Sequence, residues 1–438
     1  DSTLWEFQKD RYDIEFRSRM GALGMTHVLP TGKRTVWRSA LSISGLRSTR
    51  TADRLDAGYL PQAAENDELG QSKWSFTTGW NTKLNARQRI SGGVFVTRQS
   101  FDLISSLGNN PAVSEGSGNG ATLQPYLKWQ GQLGKGWELT GGLHYLYFTF
   151  NQTQSLEPRM SLAWRRPDGQ RLSLSYGLHS QLQAPQLYFA RINGGNPNES
   201  LGLTRAHHAV LAYGKKFASD LDLQVEAYYQ HLFKVPILNQ PGASFSALNF
   251  LEGIVAVPLE NVGTGDNYGL EVTLQKWITG RYFFLTNASL YESTYIGGDG
   301  IRRDTRFNGN YLFNAMAGKE WPRERNGKHK TWGLNSRLVY AGGFRDTPID
   351  AAASAQTDQT VYLESEAYSL QQPAYFRMDI RAYLRKSKNN RSSLLALDIQ
   401  NATNAQNVAF SYYDAQQRAI IEKFQLGLIP ILSYRLEF

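Results

Sequence analysis

The residues best equipped for chemistry are four carboxylates, Glu138, Glu157, Glu226 and Glu271, which could act as general acid and base if two met across a cleft. Arg159, Arg165, Arg377, Arg381 and Arg435 share their alternating positions, so ladders of paired charge along a wall are expected instead. His207 and His208 are adjacent, and on a strand they point to opposite faces and cannot share a metal ion. The stretch "GGDGIRRD" at 297–304 offers a cation only Asp299 and Asp304, and reads as a glycine-rich loop. No nucleophile elbow, phosphate loop or metalloprotease helix motif occurs. The expectation is no enzyme, no cofactor and no metal.

One stretch does offer binding chemistry. In "LQAPQLYFARINGGNPNES", 182–200, the residues Tyr188, Phe189, Arg191, Asn193 and Asn196 form an aromatic, cationic and amide set able to stack on and hydrogen-bond a polar ligand. The competing expectation is a loop folded against its neighbours.

The elements that would position these residues are strands. In "LEPRMSLAWRRPDGQRLSLSYGLHSQ", 156–181, Leu156, Pro158, Met160, Leu162 and Trp164 alternate with Glu157, Arg159, Ser161 and Arg165. Leu172, Leu174, Tyr176 and Leu178 then alternate with Arg171, Ser173, Ser175 and His179 across a Pro-Asp-Gly turn. A hairpin closing there places Trp164 beside Leu172 on the greasy face and Glu157 near His179 on the wet one. The same period of two recurs at Phe376–Leu384, Leu221–Tyr229, Leu270–Gln275 and near the start, where Ile14, Phe16 and Met20 are expected on the greasy face.

About seventeen strands follow from this reading, many of ten residues or more. Their connectors alternate between short ones, such as 30–33, 86–88, 134–136 and 167–169, and long ones near 51–70, 105–120, 182–204, 235–260, 345–372 and 402–420. Trp37, Trp137, Trp164, Trp277, Trp321 and Trp332 all fall near short turns, as an aromatic girdle would. Loops sorted by length to opposite ends, with a tryptophan belt at one of them, describe a transmembrane barrel better than a soluble sandwich.

Composition agrees. The 438 residues contain no Cys, so there is no disulfide framework, and no break divides the chain, so residues 1–438 read as a single barrel domain. No apolar run is long enough for a membrane helix, but a barrel strand meets lipid only at every second residue. The net charge of +9 is spread over wall and turns and suits anionic headgroups or an acidic ligand, not nucleic acid. No signal peptide begins the sequence, so it is read as processed or as part of something longer.

The final strand puts Leu432, Tyr434, Leu436 and Phe438 on one face. This resembles the ending of bacterial outer-membrane barrels, whose terminal aromatic strand is the signal read by the barrel assembly machinery, here Tyr434, Leu436 and Phe438. More broadly, "LEPRMSLAWR", "LTRAHHAVLAYGKKF", "NVGTGDNYGLEVTLQK", "FNGNYLFNAMAGKEW", "YAGGFRDTPID" and "LALDIQNATNAQNV" resemble TonB-dependent outer-membrane receptors. The likeness is to the Bacteroidetes type that carries an amino-terminal carboxypeptidase-regulatory-like domain.

That resemblance implies an all-β fold, an antiparallel up-and-down barrel of 22 strands whose upstream strands and plug lie outside this chain. It implies a receptor that imports a scarce ligand across the outer membrane of a Gram-negative bacterium. The partners it implies are outer-membrane lipid and lipopolysaccharide, TonB acting through the plug, and the barrel assembly machinery, with a surface lipoprotein or envelope complex as a further candidate. A passive porin and a structural barrel subunit of an outer-membrane assembly are the alternative readings.

Overall fold

A computed structural model describes all residues except 1–4, 57, 109–113, 190, 193, 218–219, 252–254, 256, 326–327 and 389–390. Strands dominate. They are β1 (Tyr12–Thr31), β2 (Thr35–Leu55), β3 (Pro61–Lys83), β4 (Gln88–Leu107), β5 (Ser114–Gly134), β6 (Trp137–Phe148), β7 (Thr153–Arg165) and β8 (Gln170–Gln181). These continue with β9 (Thr204–Lys216), β10 (Leu221–Ile237), β11 (Glu260–Thr279), β12 (Tyr282–Ile296), the short β13 (Arg302–Asp304), β14 (Tyr311–Arg325) and β15 (Lys328–Ala341). Last come β16 (Arg345–Asp346), β17 (Leu370–Gln371), β18 (Tyr375–Lys388), β19 (Arg391–Gln400), β20 (Val408–Asp414), β21 (Ala419–Phe424) and β22 (Ile429–Glu437). No described helix is long and apolar enough to cross a membrane, which says nothing against crossing by strands.

Eighteen of these strands form one antiparallel sheet in which successive wall strands pair, with β16–β17 and β20–β21 as separate loop hairpins. Setting aside the short β13, seventeen strands make the wall, as the alternation predicts. Among the described residues β1 and β22 are the sheet's edges, each paired on one side. At the loop end the segment leading into β1 touches the β20–β21 hairpin. Gln8 N–H donates to a carboxylate oxygen of Asp414 at 2.9 Å, and the Lys9 ammonium lies 4.1 Å from the centre of the Tyr412 ring.

Tight turns and long loops do sort to opposite rims. Pairing runs unbroken from Tyr12↔Arg54 to Thr31↔Thr35, which places the 32–34 turn at one end, while the 182–203, 238–259 and 342–374 connections lie at the other. Two expected loops are corrected. Residues 51–70 and 105–120 are mostly strand, because β2, β3, β4 and β5 run for 20 to 23 residues each. A 20-residue strand tilted in a barrel rises about 50 Å, roughly twice the apolar band of an outer membrane, so these strands stand well above it.

That height explains a second correction. Ile14, Phe16 and Met20 share a face with Thr26 and Val28, opposite to Leu23, Met25 and Leu29, in a register with β2 that has no bulge. The lipid-facing parity is the one that carries Leu29 beside Trp37 and Met25 beside Leu41. In its protruding half the same parity carries Asp13, Glu15, Arg17 and Arg19. The alternation therefore changes hands where β1 leaves the membrane, and Ile14, Phe16 and Met20 face inward.

Elsewhere the faces are as expected. Trp164 pairs with Leu172, and tryptophans pair across strands near the short turns as Trp37↔Trp80, Trp137↔Trp164 and Trp321↔Trp332. The Trp137 and Trp164 rings stack with centroids 6.0 Å apart. Leu174, Leu211, Leu270 and Leu290 are exposed on the same outer face, which is affordable only against hydrocarbon.

Toward the loop rim this greasy belt ends in a polar stripe. The Tyr176 hydroxyl lies 2.8 Å from His207 Nδ1, and Asp266 accepts from Tyr229 at 2.8 Å and from Arg302 at 2.8 Å while meeting His231 Nδ1 at 2.8 Å. From Asp266 down β11 to Trp277 is eleven residues, or about 25 Å of height in a tilted strand, the thickness of an outer-membrane apolar band.

Candidate functional site

The inner wall carries the charge that the alternation assigns to it, and most of that charge is paired. Arg165 meets Glu138 at 3.4 Å, Arg377 meets Asp379 at 2.7 Å, Arg381 meets Asp398 at 3.1 Å and Arg435 meets Glu437 at 3.0 Å. Ladders thus account for these side chains better than acid–base catalysis. Glu226 and Glu271 face each other directly across β10 and β11, with Gln224 donating to Glu226 at 2.6 Å.

A wall site lies where β4 to β9 meet, an open basin of about 880 Å³. Glu157 is at its centre, with its side chain only 2% exposed; one carboxylate oxygen sits 2.8 Å from the Arg159 guanidinium and 2.9 Å from His144 Nδ1. His179 and His208 meet beside it, their rings 4.5 Å apart at the centroids. His208 faces the lumen while His207 stacks outward on Phe233 at 5.0 Å, so the adjacent histidines do not share a site. Among the described residues there is no group of three or more side chains arranged to hold a metal ion.

Above the basin the loops fold inward. Leu187, Tyr188, Phe189, Leu201, Val255 and Leu259 form a buried cluster with the inward-facing Phe101, Leu103 and Phe148 of the wall. The local cause lies in β5. Gly116, Gly118 and Gly120 occupy successive inward positions, opposite Leu103, Phe101 and Gln99. A Cβ at Gly116 would stand 2.4 Å from the Phe189 ring, and one at Gly120 would stand 2.7 Å from the Phe148 ring. Glycine at every second residue is strand periodicity written in small residues, a signal present in "SEGSGNG" and easily taken for a loop.

This packing relocates the expected ligand set. Tyr188 and Phe189 are each 2% exposed and serve as loop core, with Phe189 edge-on to Phe101 at 5.1 Å, so neither presents a face to an incoming ligand. Arg191 is half-exposed and ion-paired to Glu115, and the Asn196 amide donates to Glu199 at 3.2 Å. Asn193 lies outside the described residues. What sequence reasoning missed is the basin, whose members come from six different strands.

A second lock joins the remaining loops. Arg303 and Asp299, each 7% exposed, pair at 2.6 Å, and Ser244 donates to Glu364 at 2.7 Å. The Arg303 hydrogen bonds, with help from the Ile301 amide, hold the Asp299 carboxyl below the usual carboxylate range against the opposing effect of burial. A lowered pKa contributes stability that is present above the unfolded value and lost as pH falls through the folded one. The 297–304 loop is therefore expected to stay protected from proteolysis at neutral pH and to open only below about pH 4. Arg303→Gln should abolish that acid step, as read by hydrogen exchange across the loop.

A greasy belt bounded by tryptophans and a polar stripe, a charged inner wall, and loops folded into one mouth define an outer-membrane barrel of the receptor class. Comparison with known proteins agrees. Residues 1–402 match the family model described as "TonB dependent receptor-like, beta-barrel". The chain belongs to that family and is a protein of the Gram-negative outer membrane.

Among solved structures it is similar to the ferric-catecholate import receptor Fiu of Escherichia coli K12, with 11% identity and a TM-score of 0.68, covering 98% of this chain and 65% of that one. It is also similar to the ferric yersiniabactin uptake receptor FyuA of Yersinia pestis, with 13% identity and a TM-score of 0.67, covering 97% of this chain and 62% of that one. The siderophore receptor PiuA of Acinetobacter baumannii gives 11% identity and a TM-score of 0.62, with 98% and 65% covered. The chain thus spans just under two thirds of the length of these structures, and at such identities the likeness is one of fold. A search of curated proteins finds no match.

Proposed function

We propose that this chain forms most of the wall of a TonB-dependent importer that carries a scarce ligand across the outer membrane. The observation that carries the reading is the family match over residues 1–402, joined to loops that fold into the mouth of the barrel. Solved neighbours named as receptors for iron-chelating ligands support a ligand of that kind. The Bacteroidetes type, with its amino-terminal carboxypeptidase-regulatory-like domain, belongs to the same proposal.

The edges of the sheet bear on how the barrel would close. In hydrocarbon a row of unpaired backbone N–H and C=O groups costs several kcal/mol per group, so the free edges of β1 and β22 call for further strands to complete a closed barrel. A plug inside that barrel is the part through which TonB would act. The half-exposure of Arg191 and Asn196 supports ligand contact by these two members of the 182–200 loop. Tyr434, Leu436 and Phe438 are all exposed along the last strand, which supports a contact with the assembly machinery.

The test is uptake in cells. Accumulation of a labelled ligand should need both this protein and a working TonB, falling to background when either is deleted. Uptake that persists without TonB, together with open conductance in a planar bilayer, would favour the passive porin.

A further inference from the structure

Just beyond the tryptophan belt, one sector of the outer face is lined with cations. The greasy row there runs through Trp321 of β14, Trp332 of β15, Leu384 of β18, Leu395 of β19 and Tyr434 of β22, each the ladder partner of the next. Two residues nearer the turns on the same parity, Arg323 pairs with Lys330 and Lys330 with Lys386. Two residues further on, Arg325 pairs with Lys328, and Arg391 at the start of β19 keeps the same parity. Two residues of strand measure about 7 Å, so these cations stand where the headgroups of a leaflet meet its hydrocarbon. Short turns mark the periplasmic rim of an outer-membrane barrel, so the leaflet is the periplasmic one.

Such clustering is unfavourable for the chain alone. Like charges directly opposite each other on a sheet repel, and Arg323–Lys330, Lys330–Lys386 and Arg325–Lys328 are three such pairs. The carboxylates nearby in sequence do not answer them. Glu324 and Glu437 take the inward parity, where Glu324 lies 3.7 Å from His329 and Glu437 lies 3.0 Å from Arg435. Among the described residues none of the six cations is ion-paired, and all six are exposed.

The surroundings say what kind of anion fits. Between the two turns lies a recess of about 200 Å³ whose lining includes Lys328, Lys330, Lys386, Arg391, Ser393 and Leu436. Ammonium and guanidinium groups at its rim, with the Ser393 hydroxyl between Lys386 and Leu436 on the ladder, suit phosphate oxygens. Directly above, Trp332, Leu384 and Leu395 continue as an apolar surface for acyl chains. That continuity with the greasy belt favours a lipid headgroup over a soluble anion. Neither a plug nor further strands would cover the site, because the cations point away from the lumen and β14, β15, β18 and β19 are each paired on both sides within this chain.

We propose that the row Arg323–Lys330–Lys386, with Arg325, Lys328 and Arg391 beside it, is a binding site for the phosphodiester headgroup of an anionic phospholipid in the periplasmic leaflet. The site holds lipid at one sector of the barrel's circumference, that of β14 to β19. Its occupancy does not depend on what the barrel imports.

The test is native mass spectrometry of the full-length protein in detergent micelles carrying equal amounts of dioleoylphosphatidylglycerol and dioleoylphosphatidylcholine. The anionic lipid is expected to be retained over the zwitterionic one about fivefold or more. Lys330→Gln together with Lys386→Gln should weaken that retention about tenfold or more, as expected for two lost contacts between a cation and an anionic lipid surface. Lys33→Gln together with Lys135→Gln removes the same charge at exposed positions in other short turns and should change nothing. Excess glycerol 3-phosphate should not displace the lipid, and heat-modifiable gel migration checks that each variant is folded.

Equal retention of the two lipids, retention unchanged in the Lys330/Lys386 variant, or the same loss in the Lys33/Lys135 variant overturns the site. Displacement by glycerol 3-phosphate would overturn the lipid assignment and mark the row as a contact for a soluble phosphorylated ligand. TonB-dependent uptake reports separately on the importer reading, so the two can fail independently.

Discussion

Replacing Leu270 by Arg should prevent most of the protein from assembling, while replacing its neighbour Glu271 by Arg should do little. Leu270 sits on the outer face of β11 beside Leu290 of β12 and Ala227 of β10, four residues below the polar stripe at Asp266 and seven above Trp277. A guanidinium there lies well inside the apolar band, and turning it to lipid costs about 2–4 kcal/mol at the midplane. That is a large share of the stability of a folded protein and shifts the folded-to-unfolded ratio about thirtyfold or more.

One residue further on, Glu271 faces water and lies directly opposite Glu226. A cation in its place would relieve like-charge repulsion across the ladder. Folding titrations into bilayers, or the amount of heat-modifiable barrel in the outer membrane, read both variants. Equal losses in the two would remove the assignment of faces, and with it the membrane reading.

Replacing Gly116 by Val should unseat the loop cluster and leave the wall intact. The added Cβ would fall 2.4 Å from a ring carbon of Phe189, a distance real Cβ atoms do not adopt, so the buried ring has to leave its groove. Overpacking of this kind costs about 1–3 kcal/mol, and the loop is where it would be spent, because the strand backbone at Gly116 is extended and accepts valine. The visible result is new protease cleavage within residues 182–203, with unchanged migration of the barrel.

Gly141→Ala is the control, since nothing lies within 4 Å of a Cβ there. The double variant Gly116→Val with Phe189→Ala should lose less than the sum of the two single changes, because valine then fills part of the space the ring left. Strict additivity would mean that Phe189 does not occupy the β5 groove.

How far these positions could be read without coordinates depends on the range of the interaction involved. For β7 and β8 the apolar and polar residues alternate cleanly, so Trp164 beside Leu172 and a charged inner wall follow from side-chain geometry alone. In β1 the same rule misplaces Ile14, Phe16 and Met20, because alternation names two faces without saying which medium each meets, and the medium changes along a strand that outruns the membrane. The 182–200 loop left two readings open for a related reason. An exposed-looking Tyr-Phe pair is equally suited to a ligand or to a core, and the choice lies with Gly116 and Phe101, some seventy to ninety residues away in the chain.

By itself, then, the sequence determined that this is a chain of long antiparallel strands with one face for lipid and one for water, because the period of two is a property of each strand's own backbone. Tertiary structure alone decided which residues stand side by side on that wall. Arg323, Lys330 and Lys386 become one row only when three strands pair in register, and no pattern local to any one of them records the alignment.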